Sequence, residues 1–492
     1  MADIAIALQR AGLLVAESGV LPQFVSAITD DSRTVAPGGL FLAVRGAEQD
    51  GHDYLAAAEQ SGAALVVVDD ASRTELPSLV VSDTRRAAAV AASAFFGEPA
   101  NGLRLVGITG TNGKTTTVGM LRHLLDDPTQ RAASIGTLGV LIGSGGDSLP
   151  GGGGLTTPGP VELQRLLRSL LDAGVRTVAM ETSSHALHQR RMDGLHFEAG
   201  VFTNLTRDHL DYHVTMDAYF QAKAMLVSLL THNGVAVVNT DDGAWDALPA
   251  APRTVRFGHV PAADVRAEHV TFAPRGSTWT LVVGPEEHDV RLPLIGDFNV
   301  SNALAAAGAA WAMGVAPADI AHRLSTLPQV PGRLEIISED PIVLRDYAHT
   351  PDALERALDA VRPFTTGELI VVFGCGGDRD RGKRPEMGRI AEANADHVIV
   401  TSDNPRTEAP ERILDDIEAG MMAGRHERIE DRREAIARAI VVARRGLAMH
   451  AHGTPVVVLA GKGHETYQIR GTVKYPFDER AIVREILLEM VS

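Results

Sequence analysis

At 492 residues the chain is too long for one ordinary core, and its length points to about three domains. Apolar residues at 45% and charged residues at 22% exclude a disordered chain, and a formal charge of −16 argues against nucleic acid or an anionic membrane as partner. A single cysteine, Cys375, excludes an intrachain disulfide and cysteine-rich metal sites.

The first residues, Met-Ala-Asp-Ile, show no basic stretch followed by an apolar one. No export signal is therefore expected, and the protein reads as cytoplasmic. No apolar run approaches the ~20 residues that span a bilayer. Residues 1–98 alternate short apolar strands, Leu40–Val44 and Ala64–Val68, with helical stretches at Tyr54–Ser61 and Arg86–Phe96. The breaker cluster from Glu98 to Gly102 reads as a linker. A second region, 99–332, opens with the strand Leu103–Ile108, a glycine-rich turn and a helix from Lys114 to Leu125. Further strands are expected at Thr177–Met180, Ala199–Phe202 and Val235–Asn239. Gly143–Gly154 holds seven glycines and a proline and reads as a mobile loop without regular structure. Pro328–Gly332 marks the second boundary, and region 333–492 has strands at Ile342–Arg345, Leu369–Phe373, His397–Val400 and Pro455–Leu459. Strands alternating with helices predict an α/β fold with mostly parallel sheets.

Gly107-Ile-Thr-Gly110-Thr111-Asn112-Gly113-Lys114-Thr115-Thr116 leaves a strand and enters a helix. Glycines admit backbone N–H groups to phosphate oxygens, and a helix N-terminus adds positive potential. Lys114 suits the β/γ-phosphates of ATP and the Thr115 hydroxyl suits Mg²⁺. Glu181 follows a strand, where α/β folds place ligand-binding groups. By residue type alone, His209 is equally an ordinary loop histidine and Lys223 a solvated helix lysine.

The phosphate loop resembles that of the Mur ligases and their relatives the folylpolyglutamate synthetases, and further segments along nearly the whole chain resemble the Mur ligases. That resemblance implies three α/β domains: a UDP-binding one at 1–98, a central P-loop-type ATPase at 99–332 and a Rossmann-like amino-acid-binding one at 333–492. It implies metal ligation by Thr115, Glu181, His209 and Lys223, the lysine as a CO₂-derived carbamate, and catalysis by Lys114, Glu181, His209 and Lys223. ATP contacts are implied for the loop, for Asn302, for Arg333 at the hinge and for Asp346 and His349. The UDP-sugar-peptide is implied at Ser32, Arg33, Thr156, Thr157, Ser184 and Arg191, although Gln189-Arg190-Arg191 leaves open which side chain makes contact.

Asp403-Asn404-Pro405-Arg406 matches the motif of Mur ligases that add meso-diaminopimelate. An arginine fork binds the carboxylate that distinguishes this diamino acid from lysine, and an unpaired fork rejects the analogue lacking it. Arg384 is expected as a second carboxylate partner, with Gly461 and Glu465 at the distal ammonium. The implied reaction joins meso-diaminopimelate to UDP-N-acetylmuramoyl-L-alanyl-D-glutamate through an acyl phosphate, with only small-molecule partners and a monomeric enzyme. A lysine-adding or D-alanyl-D-alanine-adding relative, a folylpolyglutamate synthetase and an ATP-gated regulatory protein are the competing readings.

Overall fold

The computed structural model describes residues 1–46, 49–152, 154–448 and 453–490. Contacts divide the chain into two compact units. The first comprises Met1–Glu268, Leu281–His288 and Ser301–Leu324; the second comprises His269–Thr280, Asp289–Val300 and the chain from Ser325 on. Among the described residues no helix is long and apolar enough to cross a membrane.

The first unit begins with a five-stranded sheet. Leu65–Val68 lies inside it and is buried at all four positions, as expected of a strand covered on both faces. Leu40–Leu42 and Ser78–Val81 flank it in parallel, Ile28–Thr29 lies beyond, and Leu14–Ser18 closes the other edge antiparallel. Alternate residues face opposite ways. Leu65, Val67 and Leu79 pack against the alanine stripe of helix Thr84–Phe95, while Val66, Val68 and Phe41 pack against Leu55 and Ala58. The Asp83 carboxylate caps that helix by accepting from the N–H groups of Arg85 and Arg86.

A second sheet is built around Arg104–Thr109, with Val175–Glu181 and Phe197–Phe202 parallel on either side. Register pairs Glu181 with Ile108 and Phe202 with Thr109, so three strand ends open at one carboxyl edge. Ligands in open α/β sheets bind at such an edge. Arg131–Gly136 adds beside Val175–Glu181, and Leu230–Asn239 then Arg253–Gly258 add beyond Phe197–Phe202.

One expectation is corrected here. Within the glycine-rich stretch, Asp147–Leu149 forms a strand antiparallel to Gly139–Ile142. Glycines at 143 and 146, both at positive φ, make the intervening turn, and the non-glycine residues 147–149 supply the strand. Gly153 lies outside the described residues.

In the second unit, Ile342–Asp346, Val456–Ala460, Leu369–Phe373, His397–Val400 and Glu427–Arg428 run parallel in that spatial order. Glu335–Glu339 pairs antiparallel with Ile342–Asp346 at the edge. Every residue of Leu369–Phe373 and of Val456–Ala460 is buried, with helices on both faces. The loops after Asp346, Phe373, Val400 and Ala460 all leave the same carboxyl edge. Together the sheets form three α/β domains, as the strand–helix alternation predicts.

Candidate active site

The phosphate loop is held by backbone contacts that only glycine permits. At Gly110, φ is +147° and an added Cβ would lie 1.8 Å from Thr203 Oγ1. At Gly113, φ is +86° and a Cβ would lie 2.2 Å from Asn302 Oδ1. Asn302, expected to contact ATP, is thus a direct neighbour of the loop. Thr203 and Asn204, to which the sequence assigned no role, brace it. Thr111 N–H donates to the Asn204 carbonyl at 2.7 Å, Asn112 N–H to Asn204 Oδ1 at 2.9 Å, and Thr203 Oγ1 to the Asn112 carbonyl at 2.7 Å.

Helix Lys114–Leu125 begins immediately after Gly113, as expected from the sequence. Lys114 Nζ reaches back over the loop to the carbonyls of Gly110 and Thr111 at 2.9 and 2.7 Å. Thr115 and Thr116 are both buried in the first turn.

Lys223 is 1% exposed on helix Met216–Ser228 and is not the solvated lysine its residue type allows. Its Nζ donates to the Gly110 carbonyl at 2.7 Å and stands 4.3 Å over the Tyr219 ring. Burial, reinforced by the charge of Lys114 and opposed by Asp208, pushes its pKa well below the ordinary lysine range. A neutral amine is the form that adds CO₂. His209, at positive φ, stacks edge-on against His185 at 4.7 Å, and burial chiefly lowers its pKa. Its imidazole therefore favours the neutral, ligand-competent state.

Glu181 is 1% exposed and accepts from Thr137 N–H at 2.8 Å and from Thr137 Oγ1 at 3.3 Å. Among the described residues no group of three His, Cys, Asp or Glu forms a ready metal cage. A carboxylate, a threonine hydroxyl and phosphate oxygens fit Mg²⁺, which keeps several waters and needs no such cage.

Thr157 is fully buried and donates to the Glu181 carbonyl at 2.8 Å, and Arg191 Nη1 donates to the Thr157 carbonyl at 2.9 Å. Arg191 lines a cavity of about 220 Å³ together with Asp30, Arg45, Gly46, Arg85 and Gln189. Arg190 instead turns toward Asp193, 3.8 Å away. This separates the two arginines that sequence alone left equivalent. Arg85, which sequence reasoning missed, donates to the carbonyls of Arg45 and Gly46 at 2.6 and 3.0 Å. Arg191 and Arg85 at one cavity suit a diphosphate, whereas the Arg45 guanidinium beside them is already paired with Asp50 and Asp69. Ser32 and Arg33 are not among the cavity's lining residues; Arg33 is exposed and paired with Asp31 at 2.7 Å. Thr156 Oγ1 lies 3.3 Å from Thr137 Oγ1, and Ser184 Oγ lies 3.0 Å from His213 Nε2.

In the second unit the Arg333 guanidinium lies 4.8 Å over the Tyr347 ring. Asp346 accepts from the N–H groups of Leu334 and Ala348 at 2.7 and 2.8 Å, tying the segment before Glu335–Glu339 to its strand. His349 Nδ1 is 2.8 Å from the Tyr347 carbonyl.

Asn404 Nδ2 donates to Glu465 Oε2 at 2.8 Å, so two of the residues expected at the amino acid touch directly. Gly461, at φ +114°, leaves room for Asp403, whose Oδ2 would be 2.5 Å from an added Cβ. The Pro405 carbonyl presses on Gly377, where a Cβ would meet it at 1.9 Å. Arg406 Nη1 donates to the Gly377 carbonyl at 2.8 Å.

Arg384 does not fit the role expected of it. It is fully buried, and its guanidinium forks onto Glu408 and Asp416, both at 2.8 Å. With its charge already matched, it braces the loop rather than offering a fork to a ligand. Arg379 is exposed, and a Cβ built on Gly376 would have Arg406 Nη1 at 2.9 Å and Arg379 Cγ at 3.7 Å. Arg379 and Arg406 thus flank Gly376, whose carbonyl also accepts from Arg384 Nη2 at 3.2 Å. The run Asp378-Arg379-Asp380-Arg381-Gly382-Lys383-Arg384 carries no signal separating these arginines, because the deciding carboxylates lie 24 and 32 residues away from Arg384.

Three family models match the chain: Mur ligase family, catalytic domain, over 25–104; Mur ligase middle domain, over 108–310; and Mur ligase, glutamate ligase domain, over 332–463. A UDP-N-acetylmuramoyl-L-alanyl-D-glutamate–2,6-diaminopimelate ligase of Gloeobacter violaceus is 46% identical, with 94% of each chain covered. The ligase of the same name from Geobacter metallireducens is 45% identical over 96% of each. A solved structure of a ligase with that name aligns at TM-score 0.67 and 34% identity, covering 96% of this chain and 98% of that one. Folylpolyglutamate synthase of Mycobacterium tuberculosis complexed with ADP and AMPPCP shares the fold at TM-score 0.65 and 20% identity, covering 77% of this chain and 92% of its own. The chain belongs to the Mur ligase family of ATP-dependent, amide-bond-forming ligases.

Proposed function

We propose that this enzyme joins meso-diaminopimelate to the D-glutamate γ-carboxylate of UDP-N-acetylmuramoyl-L-alanyl-D-glutamate in peptidoglycan precursor synthesis. The observation that carries the reading is the cluster of Asn404, Arg406, Glu465 and Arg379 at one strand edge. It offers cations for a carboxylate and an anion for an ammonium. The names of relatives 41–46% identical over nearly the full chain support the same substrates.

In this reading the γ-carboxylate attacks the γ-phosphorus of ATP, the bond to the ADP oxygen breaks, and an acyl phosphate forms. The diaminopimelate amine then adds to the acyl carbon, loses a proton and expels phosphate. Lys114 and the loop N–H groups from Gly113 onward hold the phosphates, and Arg333 neutralises charge on the transferring group. Asn302, Asp346 and His349 hold the nucleotide. Mg²⁺ would be held by Thr115, Glu181, His209 and a carbamate on Lys223, neutralising phosphate charge.

Arg191, with Arg85, binds the diphosphate, while Thr156, Thr157 and Ser184 orient the peptide. The domains meet near residues 98 and 332. The enzyme works in the cytoplasm as a monomer on small molecules, without nucleic acid or membrane.

The test is phosphate release with ATP, Mg²⁺ and the UDP-linked dipeptide, adding meso-diaminopimelate or L-lysine in parallel. Turnover with meso-diaminopimelate alone is expected. Preference for lysine would overturn the substrate and keep the chemistry.

A further inference from the structure

Lys462 is 0% exposed, and the reaction just described gives it no task. Its ammonium donates to Asn404 Oδ1 at 3.1 Å and to Glu465 Oε2 at 3.4 Å, and lies 3.8 Å from Asp403 Oδ1. Asn404 Oδ1 also accepts from Ile469 N–H at 2.9 Å, so both lone pairs of that amide oxygen are engaged. Flipping the amide would set its Nδ2 hydrogens against two donors, which leaves one orientation. In that orientation Nδ2 gives one hydrogen to Glu465 Oε2 at 2.8 Å and keeps the second. Glu465 Oε2 is thereby shared by two donors, and Oε1 is left to accept from a ligand.

We propose that Lys462 is a positioning residue that sets amino-acid specificity. It fixes Asn404 as a donor toward a carboxylate and Glu465 as an acceptor for the neighbouring ammonium. The pair then recognises a zwitterionic amino-acid end rather than a lone amine. The inference rests on the reading of the chain as a ligase that takes a diamino acid.

The charges point the same way. At the ammonium end Asp403 and Glu465 bring two negative charges and Lys462 one positive, leaving one unit for the ligand's ammonium to match, while Arg406 and Arg379 stand at the carboxylate end. Without Lys462 the ammonium end would be doubly negative. It would hold a lone ammonium at least as well, while Asn404 Oδ1 would keep Ile469 N–H alone of its two donors and the amide would be held less firmly toward a carboxylate. Loss of the lysine therefore erodes discrimination more than it erodes amine binding.

The experiment uses the full-length enzyme with Lys462→Met, measuring phosphate release against meso-diaminopimelate and, separately, L-lysine. The KM for meso-diaminopimelate should rise about tenfold to a hundredfold, the range for losing a charge-assisted hydrogen bond. The preference in kcat/KM for meso-diaminopimelate over lysine should fall by the same factor. KM for ATP and for the UDP-linked dipeptide should stay at the wild-type values.

Asn404→Asp provides a second arm, because it keeps an oxygen for Lys462 while removing the Nδ2 donor. Its second carboxylate oxygen would stand where Nδ2 now meets Glu465 Oε2, so it should melt below the wild-type temperature while still folded at about 25 °C, and show the same loss of preference. An unchanged preference in both variants would overturn the inference, as would a parallel rise in KM for all three substrates. A wild-type enzyme that turns over neither amino acid would instead overturn the ligase reading on which the inference stands.

Discussion

Two regions each hide a lysine from solvent, and their surroundings are opposite. Beside the phosphate loop, Lys223 has a carbonyl and an aromatic face for company, and among the described residues no carboxylate forms an ion pair with it. Among the C-terminal strand ends, Lys462 has Asp403 and Glu465 beside it and an amide oxygen on its ammonium. Burying a charge without an anion drives it toward neutrality, whereas burying it with anions turns it into a fixed brace. The first environment makes a reactive amine, and the second makes a frame that holds other side chains in place.

If the C-terminal region works through permanent charges, deleting one that faces the ligand should give the largest effect in the molecule. Arg406→Ala is expected to lower the preference for meso-diaminopimelate over L-lysine by on the order of 10⁴, the range for a fork left without its partner. Parallel kcat/KM measurements on the two amino acids decide it. A preference that survives would move the carboxylate contact elsewhere, with Arg379 the next side chain to remove.

The phosphate-loop region should instead respond through chemistry on a neutral amine. Lys223→Met is expected to cut turnover by about 10²–10³. Wild-type enzyme in CO₂-depleted buffer should lose activity and regain it on adding bicarbonate, a response the variant lacks.

Stability supplies an independent readout for the same residue. Burial holds the folded pKa of Lys223 below its unfolded value of about 10.4. Between those two values the unfolded chain binds more protons, so this group's contribution makes stability rise with pH and fall as pH drops. In CO₂-depleted buffer Lys223→Met should therefore melt higher than wild type at pH 7, with the gap closing as pH approaches about 10. A variant that melts lower at neutral pH would mean that the hydrogen bond to Gly110 outweighs the burial.

The contrast also explains what could be read in the sequence. The phosphate loop was legible because its parts are local. A strand, glycines at positions 110 and 113 and a helix starting at Lys114 lie within one continuous stretch. The strand Leu369–Phe373 was legible because five apolar residues in a row suit an interior strand of a parallel sheet. Arg384 was misjudged because its partners, Glu408 and Asp416, come from other elements, and no local pattern marks which arginine of a charged run turns inward. Arg85 was missed for the same reason: on helix Thr84–Phe95 it looks like any first-turn arginine, and only the chain near Arg45 gives it a place at a cavity. The burial of Lys462 likewise depends on residues about 60 positions earlier.

A smaller effect is expected where one contact of two is removed. Thr137→Val deletes the hydroxyl 3.3 Å from Glu181 Oε2 and leaves the backbone N–H at 2.8 Å from Oε1. One charge-assisted hydrogen bond, weakened by its 3.3 Å length, corresponds to about a tenfold loss in kcat/KM. A loss of a hundredfold would mean that the threonine hydroxyl, rather than the backbone, holds the carboxylate in place.

The smallest effect should come from a third buried titratable group, one whose state burial chiefly decides. Cys375 is 3% exposed, with its Sγ 3.6 Å from Met387 Sδ. Burial pushes the thiol pKa up to about 12, outweighing the pull of Lys383 and Arg384. At pH 8 the thiolate is then a fraction of about 10⁻⁴, and only the thiolate alkylates. Native enzyme should resist iodoacetamide and become labelled in step with unfolding in denaturant, while Cys375→Ala should keep kcat/KM near the wild-type value. Rapid labelling of the native enzyme would show that the turn after Phe373 opens to solvent. That outcome would weaken the contrast drawn above, because the C-terminal frame would then be a moving part rather than a fixed one.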